Sequence, residues 1–207
     1  MIDYRAFQAL SPTTLADVLP RKQVMDAFIR PLWSGMPRIA GPAYPVQCAP
    51  GDNLMLHAAI YRAPRGSVIA VETGDMNFAL AGGNVCAVAQ KNGIAGFVLD
   101  GAIRDLAEIR SIGFPMFARG VIPVAGRKDV IGRLNVPVRC GGVLVSPHDI
   151  IVADEEGIVV VPCATQHAVL DSAQALAAND AAQTLEAWEI SHRKHIDELL
   201  CSKGFAG

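Results

Sequence analysis

Arg104-Asp105 and Glu108 follow Gly83 after an interval of twenty residues, and residues of these types at this spacing could bind and polarise a small oxo-acid. Asp105 and Glu108 stand at i and i+3 of an expected helix, which places both carboxylates on one face. Two like charges so placed repel unless a cation lies between or near them, and oxygen donors suit a hard divalent ion. Arg104 beside them can grip a planar carboxylate or a developing enolate through its guanidinium fork. The run Gly82-Gly83-Asn84-Val85 opens another expected helix. The first N–H groups of a helix lack intrahelical partners and form a cradle for a carboxylate or phosphate. Anion cradle, carboxylate pair and arginine together point to a metal-assisted site for a small oxo-acid.

Each part also has a plain structural reading. Gly82-Gly83 describes an ordinary turn. Arg104 and Glu108 at i,i+4 describe a surface ion pair worth a few tenths of a kcal/mol. Asp105 suits a first helical turn through the dipole alone. The joint spacing sets the chemical reading apart.

The elements that must position these residues are legible around them. Ser67-Val-Ile-Ala-Val-Glu72 reads as a buried strand, 73–80 as a loop, and 84–91 as a helix stopped by Gly93. A second strand is expected over 94–99, a helix over 102–111 stopped by Gly113, and a short strand over 116–118. Strand, helix, strand, helix, strand with short links implies parallel strands and right-handed crossovers. Upstream, Ser11-Pro12 caps a helix over 13–19, a strand-like passage near Arg38 is interrupted by Pro42 and Pro45, and Asp52 caps a helix over 53–61. Downstream of Gly120, β-branched runs at 136–139, 143–145, 150–153 and 158–161 predict a mixed or antiparallel sheet packed on the α/β unit. An alanine-rich helical segment covers 165–200, with Asn179-Asp180 as a weak point.

The chain of 207 residues is 51% hydrophobic with a formal net charge of −2. This length suits one domain, or one domain with a helical appendage. The charge gives no electrostatic footprint for nucleic acid. The basic clusters Arg62-Arg65 and Arg127-Lys128-Arg133 read as solvated faces. No apolar run reaches the ~18 residues that span a bilayer. The start Met1-Ile2-Asp3-Tyr4-Arg5 lacks a signal peptide's basic and apolar regions, so the cytoplasm is expected. Five cysteines without C-x-x-C spacing read mostly as small buried residues. His57, on an expected helix, reads as a packed or surface histidine. His192 and His195 read as part of a solvated helical tail.

Gly83, Arg104-Asp105 and Glu108 match a G-x20-R-D-x2-E/D pattern, and in this the chain resembles RraA-like proteins, including class II 4-hydroxy-4-methyl-2-oxoglutarate/4-carboxy-4-hydroxy-2-oxoadipate aldolases. The likeness runs on through Gly96 to Asp105, Gly113 to Phe117, Asn135 to Val143 and Ser146 to Pro162. The resemblance implies a swivelling β/β/α domain of the α/β class, with a parallel βαβ unit, a mixed sheet and a C-terminal helix. A single domain over 1–207 follows, its core over about 30–162 and its helical segment over about 165–203. It also implies a homotrimer or a hexamer of two trimers. By the same resemblance Gly82, Gly83, Asn84 and Val85 bind the substrate carboxylate and Arg104 binds the substrate. Asp105 is then the direct ligand of Mg²⁺ or Mn²⁺, with Glu108 assisting.

The dedicated aldolases tend to carry aspartate where this chain has Gly83, whereas members that act only as ribonuclease regulators lose the acid after the arginine. This chain keeps Asp105. The expected activity is therefore carbon–carbon lysis of a 2-oxo acid to pyruvate through an enolate, with oxaloacetate decarboxylation at the same site. The motif offers no evident side-chain base, so a metal-bound water or hydroxide is expected to take the 4-hydroxyl proton. A non-catalytic regulator that binds a ribonuclease or helicase is the alternative. Because the motif has no lid of its own, acids of the C-terminal helix such as Glu186 and Glu189 are expected to reach a neighbouring subunit's site.

Overall fold

The computed structural model describes residues 3–205. Met1 and Ile2, part of the start read above, lie outside the described residues.

The strand β3 (Val68–Glu72) shows why a central sheet forms. Val68 and Ala70 join one apolar cluster while Ile69 and Val71 join another. This is the period of two that puts alternate side chains on opposite faces, and burial of both faces marks a sheet covered on each side. β4 (Gly96–Ile103) repeats the pattern, with Phe97 and Leu99 on one side and Val98 on the other.

β2 (Ile39–Gln47), β3, β4 and β5 (Met116–Val121) run parallel in that spatial order. α3 (Leu54–Ala59), α4 (Gly83–Lys91) and α5 (Leu106–Ser111) supply the three crossovers between them. Leu56, Cys86, Ala89 and Ile109 from these helices pack with Ile69, Val71, Phe97 and Leu99 in the first cluster. Phe97 and Phe114 meet edge to face there, with centroids 4.8 Å apart. On the far edge, β9 (Ile150–Asp154) and β10 (Gly157–Val161) continue the sheet antiparallel from β2. The short β1 (Arg30–Pro31) closes the other edge against β5, and β6 (Arg133–Leu134) pairs with the end of β2. The hairpin of β7 (Val138–Cys140) and β8 (Val143–Val145) stands apart as a two-stranded sheet whose side chains fill the second cluster. The mixed α/β sheet expected from the sequence is thus observed.

Four local expectations are corrected. β2 runs through Pro42 and Pro45 rather than stopping at them. Each proline removes a ladder donor, and the strand absorbs this by splitting its pairing, residues 39–42 with β9 and 43–47 with β3. β4 extends to Ile103, so the helix expected from Ala102 begins only at Leu106. Buried Ala102 is held as strand because its carbonyl accepts from Leu80, and Ile103 accepts from Ile122 (both 2.8 Å). Asn179 and Asp180 are helical within α6 (Gln166–Ala182), and the break falls at Gln183-Thr184. Thr184 caps α7 (Leu185–Ser202) by accepting from the Ala187 amide at 3.2 Å. Finally, Cys163 and Cys201 are exposed, while Cys48, Cys86 and Cys140 are buried as expected.

The N-terminal helices α1 (Arg5–Gln8) and α2 (Pro12–Val18) complete the first compact unit, which ends at Ala173. The Ser11 hydroxyl accepts from the Thr14 amide at 3.0 Å, the predicted cap with proline at the first helical position. A second unit begins at Gln174 and holds the end of α6 and all of α7. Within it, Glu189 and Arg193 pair at 2.9 Å across one turn, and Trp188 stacks on His192.

Candidate active site

The site forms at the carboxyl ends of the parallel strands, where open α/β sheets place their ligands. A chain of backbone bonds builds it. Leu80 donates to Ala102 at 2.8 Å and Arg104 donates to Ala81 at 2.9 Å, which draws the segment before α4 against the end of β4. Gly82-Gly83 is thereby set beside Arg104-Asp105 although twenty residues separate them in sequence. From the other side Ala79 donates to Val124 at 2.7 Å and accepts from Gly126 at 3.0 Å, adding the segment after β5.

Asp105 is the N-cap of α5 and has left-handed backbone angles, φ 57° and ψ 39°. It is therefore not a residue of the helix body, and the i,i+3 argument for a shared face is replaced by direct contacts. Aspartate is among the few residues that tolerate this conformation, and such strain collects at functional sites. Asp105 Oδ2 accepts the Gly83 amide at 3.1 Å and lies 3.5 Å from Arg104 Nε. The carboxylate and guanidinium remain 36% and 44% exposed, open to a ligand.

Both glycines let a carboxylate approach their backbone closely. A Cβ at Gly82 would collide with Asp105 Oδ2, and one at Gly83 would collide with Glu108 Oε2. The Gly83 amide is already engaged by Asp105, so the free donors of the α4 N-terminus are those of Asn84 and Val85. Cys86 already returns a helical bond to Gly82.

Arg104, Asp105, Gly82, Asn84 and Val85 line one cavity of about 80 Å³, several times what a single water needs and sized for a small acid. Gly83 and Glu108 stand outside this lining, Glu108 packing across Gly83. Three further polar residues line it that were expected elsewhere or not singled out: Asn53, His57 and Lys128. Lys128, exposed as expected, also lines the cavity, and His57, half-buried on α3, lines it too. Spacing could not reveal this, because they sit on α3 and on the segment after β5. The one available signal was Asp52, foreseen as a cap.

Asp52 is buried and joins the two elements. Its Oδ1 accepts from Leu54 at 2.8 Å at the start of α3, and its Oδ2 accepts from Asp129 at 2.6 Å and Val130 at 3.1 Å. Asn53 donates through its backbone to Arg127 and through its side chain to Ala79. Burial works against the Asp52 charge, but the three amides and Lys128 outweigh it and hold its carboxyl below the ordinary value. His57 is pushed down from its ordinary value, first by burial and then by the Lys128 charge, so the ring is neutral near pH 7. Cys86, buried behind the site and near the Asp105 charge, is pushed up to about 12 and is inert as a thiolate.

The sequence is similar to characterised families along most of its length. A family model described as RraA-like, Aldolase/RraA, matches residues 12–160. A protein of Halalkalibacterium halodurans with the provisional name 4-hydroxy-4-methyl-2-oxoglutarate aldolase is 40% identical over 178 residues, 86% of this chain and 84% of that one. A protein of Burkholderia multivorans with the same provisional name is 36% identical over 139 residues, 67% of this chain and 84% of the other. Among solved structures, Streptomyces coelicolor RraAS2, an unusual member of the RNase ES inhibitor RraA family, aligns with a TM-score of 0.74 at 28% identity, covering 93% and 96% of the two chains. The RNA-processing inhibitor RraA from Thermus thermophilis aligns with a TM-score of 0.67 at 29% identity over 73% and 92%. With the family model matched over residues 12–160 and a relative 40% identical over 86% of the chain, the chain belongs to the RraA-like family.

Proposed function

We propose that this protein is a divalent-metal-dependent carbon–carbon lyase that cleaves 2-oxo acids of the 4-hydroxy-4-methyl-2-oxoglutarate type to pyruvate through an enolate, and that decarboxylates oxaloacetate at the same site. The observation that carries this reading is the meeting of Arg104, Asp105 and the α4 N-terminus in one small cavity. The provisional names of the two bacterial relatives support the aldolase half.

The donor set fits Mg²⁺ or Mn²⁺. Asp105 and Glu108 offer oxygen alone, and no group of three or more His, Cys, Asp or Glu side chains comes together among the described residues. A hard cation held by one or two carboxylates leaves its other positions to water and substrate. When bound, such an ion supplies Lewis-acid polarisation of the 2-oxo group.

The chain's own groups do the rest. The Asn84 and Val85 amides, with the helix dipole behind them, receive the substrate carboxylate. Arg104 presents its fork to the 2-oxo oxygen, where negative charge grows as the C3–C4 bond breaks. Asp105 holds Arg104 in place through their 3.5 Å ion pair. A preorganised charge of this kind costs no reorganisation during the reaction. Lys128 adds a second cation to the cavity, which favours a substrate bearing a second carboxylate. Oxaloacetate yields the same enolate on losing carbon dioxide and would need the same contacts.

We further propose a homotrimer, or a hexamer of two trimers, whose neighbouring subunits shield the site. Exposed Val121, Val124, Val130 and Ile131 flank the segment that carries Lys128, and cover for them would exclude water from the enolate.

The second reading, a non-catalytic regulator of a ribonuclease, draws on the likeness to the two RraA structures. It has no use for a strained Asp105 aimed at an anion cradle. One assay separates the two. Pyruvate release from 4-hydroxy-4-methyl-2-oxoglutarate and from oxaloacetate is followed with Mg²⁺ or Mn²⁺ and with excess chelator, against enzyme-free rates. Metal-dependent turnover of both is expected. Undiminished turnover in chelator overturns the metal, and no turnover of either substrate overturns the enzyme.

A further inference from the structure

We propose that His57 is the catalytic base that takes the 4-hydroxyl proton in carbon–carbon cleavage. This rests on the lyase reading above and fills its missing role.

Two orphaned atoms carry the inference. His57 Nε2 is buried without a hydrogen-bond partner, and so is Oδ1 of Asn53. Both residues line the cavity that holds Arg104 and Asp105. They are four residues apart at the start of α3, a spacing that puts them on the same side of a helix. A buried polar atom left unpaired costs about 1–3 kcal/mol, and both atoms belong to residues that line one cavity, which makes this wall of it polar.

The ring is suited to accept rather than to donate. Burial and the Lys128 charge disfavour its protonated form; Arg104 adds to them, while the Leu80 backbone and Asp52 act the other way. The neutral imidazole therefore lines the cavity with one ring nitrogen free of a proton. Its presence with Arg104 in one lining divides the work: Arg104 meets the growing negative charge and the imidazole takes the proton.

The step balances. The 4-hydroxyl proton passes to the unprotonated ring nitrogen of His57, and the O–H electron pair becomes the second bond of a carbonyl at C4. The C3–C4 bond breaks, and its pair forms the C2–C3 double bond of the enolate, with the charge on the 2-oxo oxygen beside Arg104. Solvent protonates C3 to give pyruvate, and the imidazolium returns its proton to solvent.

Decarboxylation of oxaloacetate has no hydroxyl proton to remove, which supplies an internal control. His57→Gln is expected to lower kcat for 4-hydroxy-4-methyl-2-oxoglutarate cleavage by ~10²–10³-fold, the range for a lost general base. Oxaloacetate decarboxylation by the same preparation should fall far less than cleavage, and a thermal melt of the variant reports the fold. His57→Ala should recover part of its cleavage activity when imidazole is added to the buffer. Equal losses in both reactions, or unchanged cleavage in His57→Gln, overturn the base and leave His57 a role in shaping the cavity. A wild-type protein that turns over neither substrate overturns the lyase reading and this proposal with it. Wild-type decarboxylation with cleavage spared in the variant overturns the base alone.

Discussion

The Gly83 amide donates to the Asp105 carboxylate at 3.1 Å, so the two ends of the motif are joined by a direct bond. Asp105 thus has three duties: it accepts from Gly83, holds Arg104, and turns the chain into α5 through a left-handed backbone. Asp105→Asn should separate them. Asparagine tolerates the left-handed conformation and can still accept a hydrogen bond, so its Tm should lie near wild type. Its metal-dependent turnover should fall by ~10²-fold or more, the scale of a lost charge contact. Asp105→Ala should lose the same activity and also stability, because alanine resists this conformation by about 1–2 kcal/mol. Thermal melts and initial rates on both variants check this, and an active Asp105→Asn protein would discard the site assignment.

Glu108 packs across Gly83, where an added methyl would meet its carboxylate and lie 3.0 Å from its Cβ. Gly83→Ala should therefore cost about 1–3 kcal/mol, as overpacking does. Glu108→Ala in the same chain should return part of the loss by removing the carboxylate. A double-mutant cycle by denaturant unfolding measures the coupling. Purely additive losses would show that the two residues do not meet in solution.

Arg104→Lys should fail nearly as badly as Arg104→Ala, by ~10²–10³-fold in kcat. Lysine keeps the charge but loses the planar fork that meets two oxygens at once. Steady-state kinetics of the two variants decide the point. Near-normal turnover with lysine would reduce Arg104 to a diffuse charge.

Asp52 should make stability depend on acid pH. Its folded pKa lies below the ordinary value, so its contribution is complete above the unfolded pKa of about 3.9 and is lost as pH falls through the folded value. Asp52→Asn should lower stability by about 2 kcal/mol at pH 7, from weakened bonds to the Asp129 and Val130 amides, and flatten the acid decline. Melts from pH 7 down into the acid range measure both. An unchanged acid profile would place the decline elsewhere.

Dilution should reduce activity if neighbouring subunits shield the cavity. Light scattering and initial rates across a concentration series are expected to show a trimer or hexamer whose specific activity falls as it dissociates. A fully active monomer would require shielding from within one chain.

Much of the sheet was legible from the residues alone. The continuous apolar run Val68–Val71 and the Gly-bounded runs around it read as buried strands, and Gly83, Arg104, Asp105 and Glu108 are tied by a fixed spacing. Such features are local or lie within one βαβ unit, where covalent distance constrains what can meet. Only the tertiary structure decided the rest. Ala102 became strand because Leu80 bonds to its carbonyl, and Pro42 and Pro45 stayed within a strand because β2 divides its pairing between two neighbours. His57 and Lys128 belong to the site because the buried Asp52 carboxylate ties α3 to a segment about 77 residues away in sequence. Nothing in the residues around His57 marks it as a cavity residue, because the cavity exists only once α3, the α4 N-terminus and the segment after β5 meet.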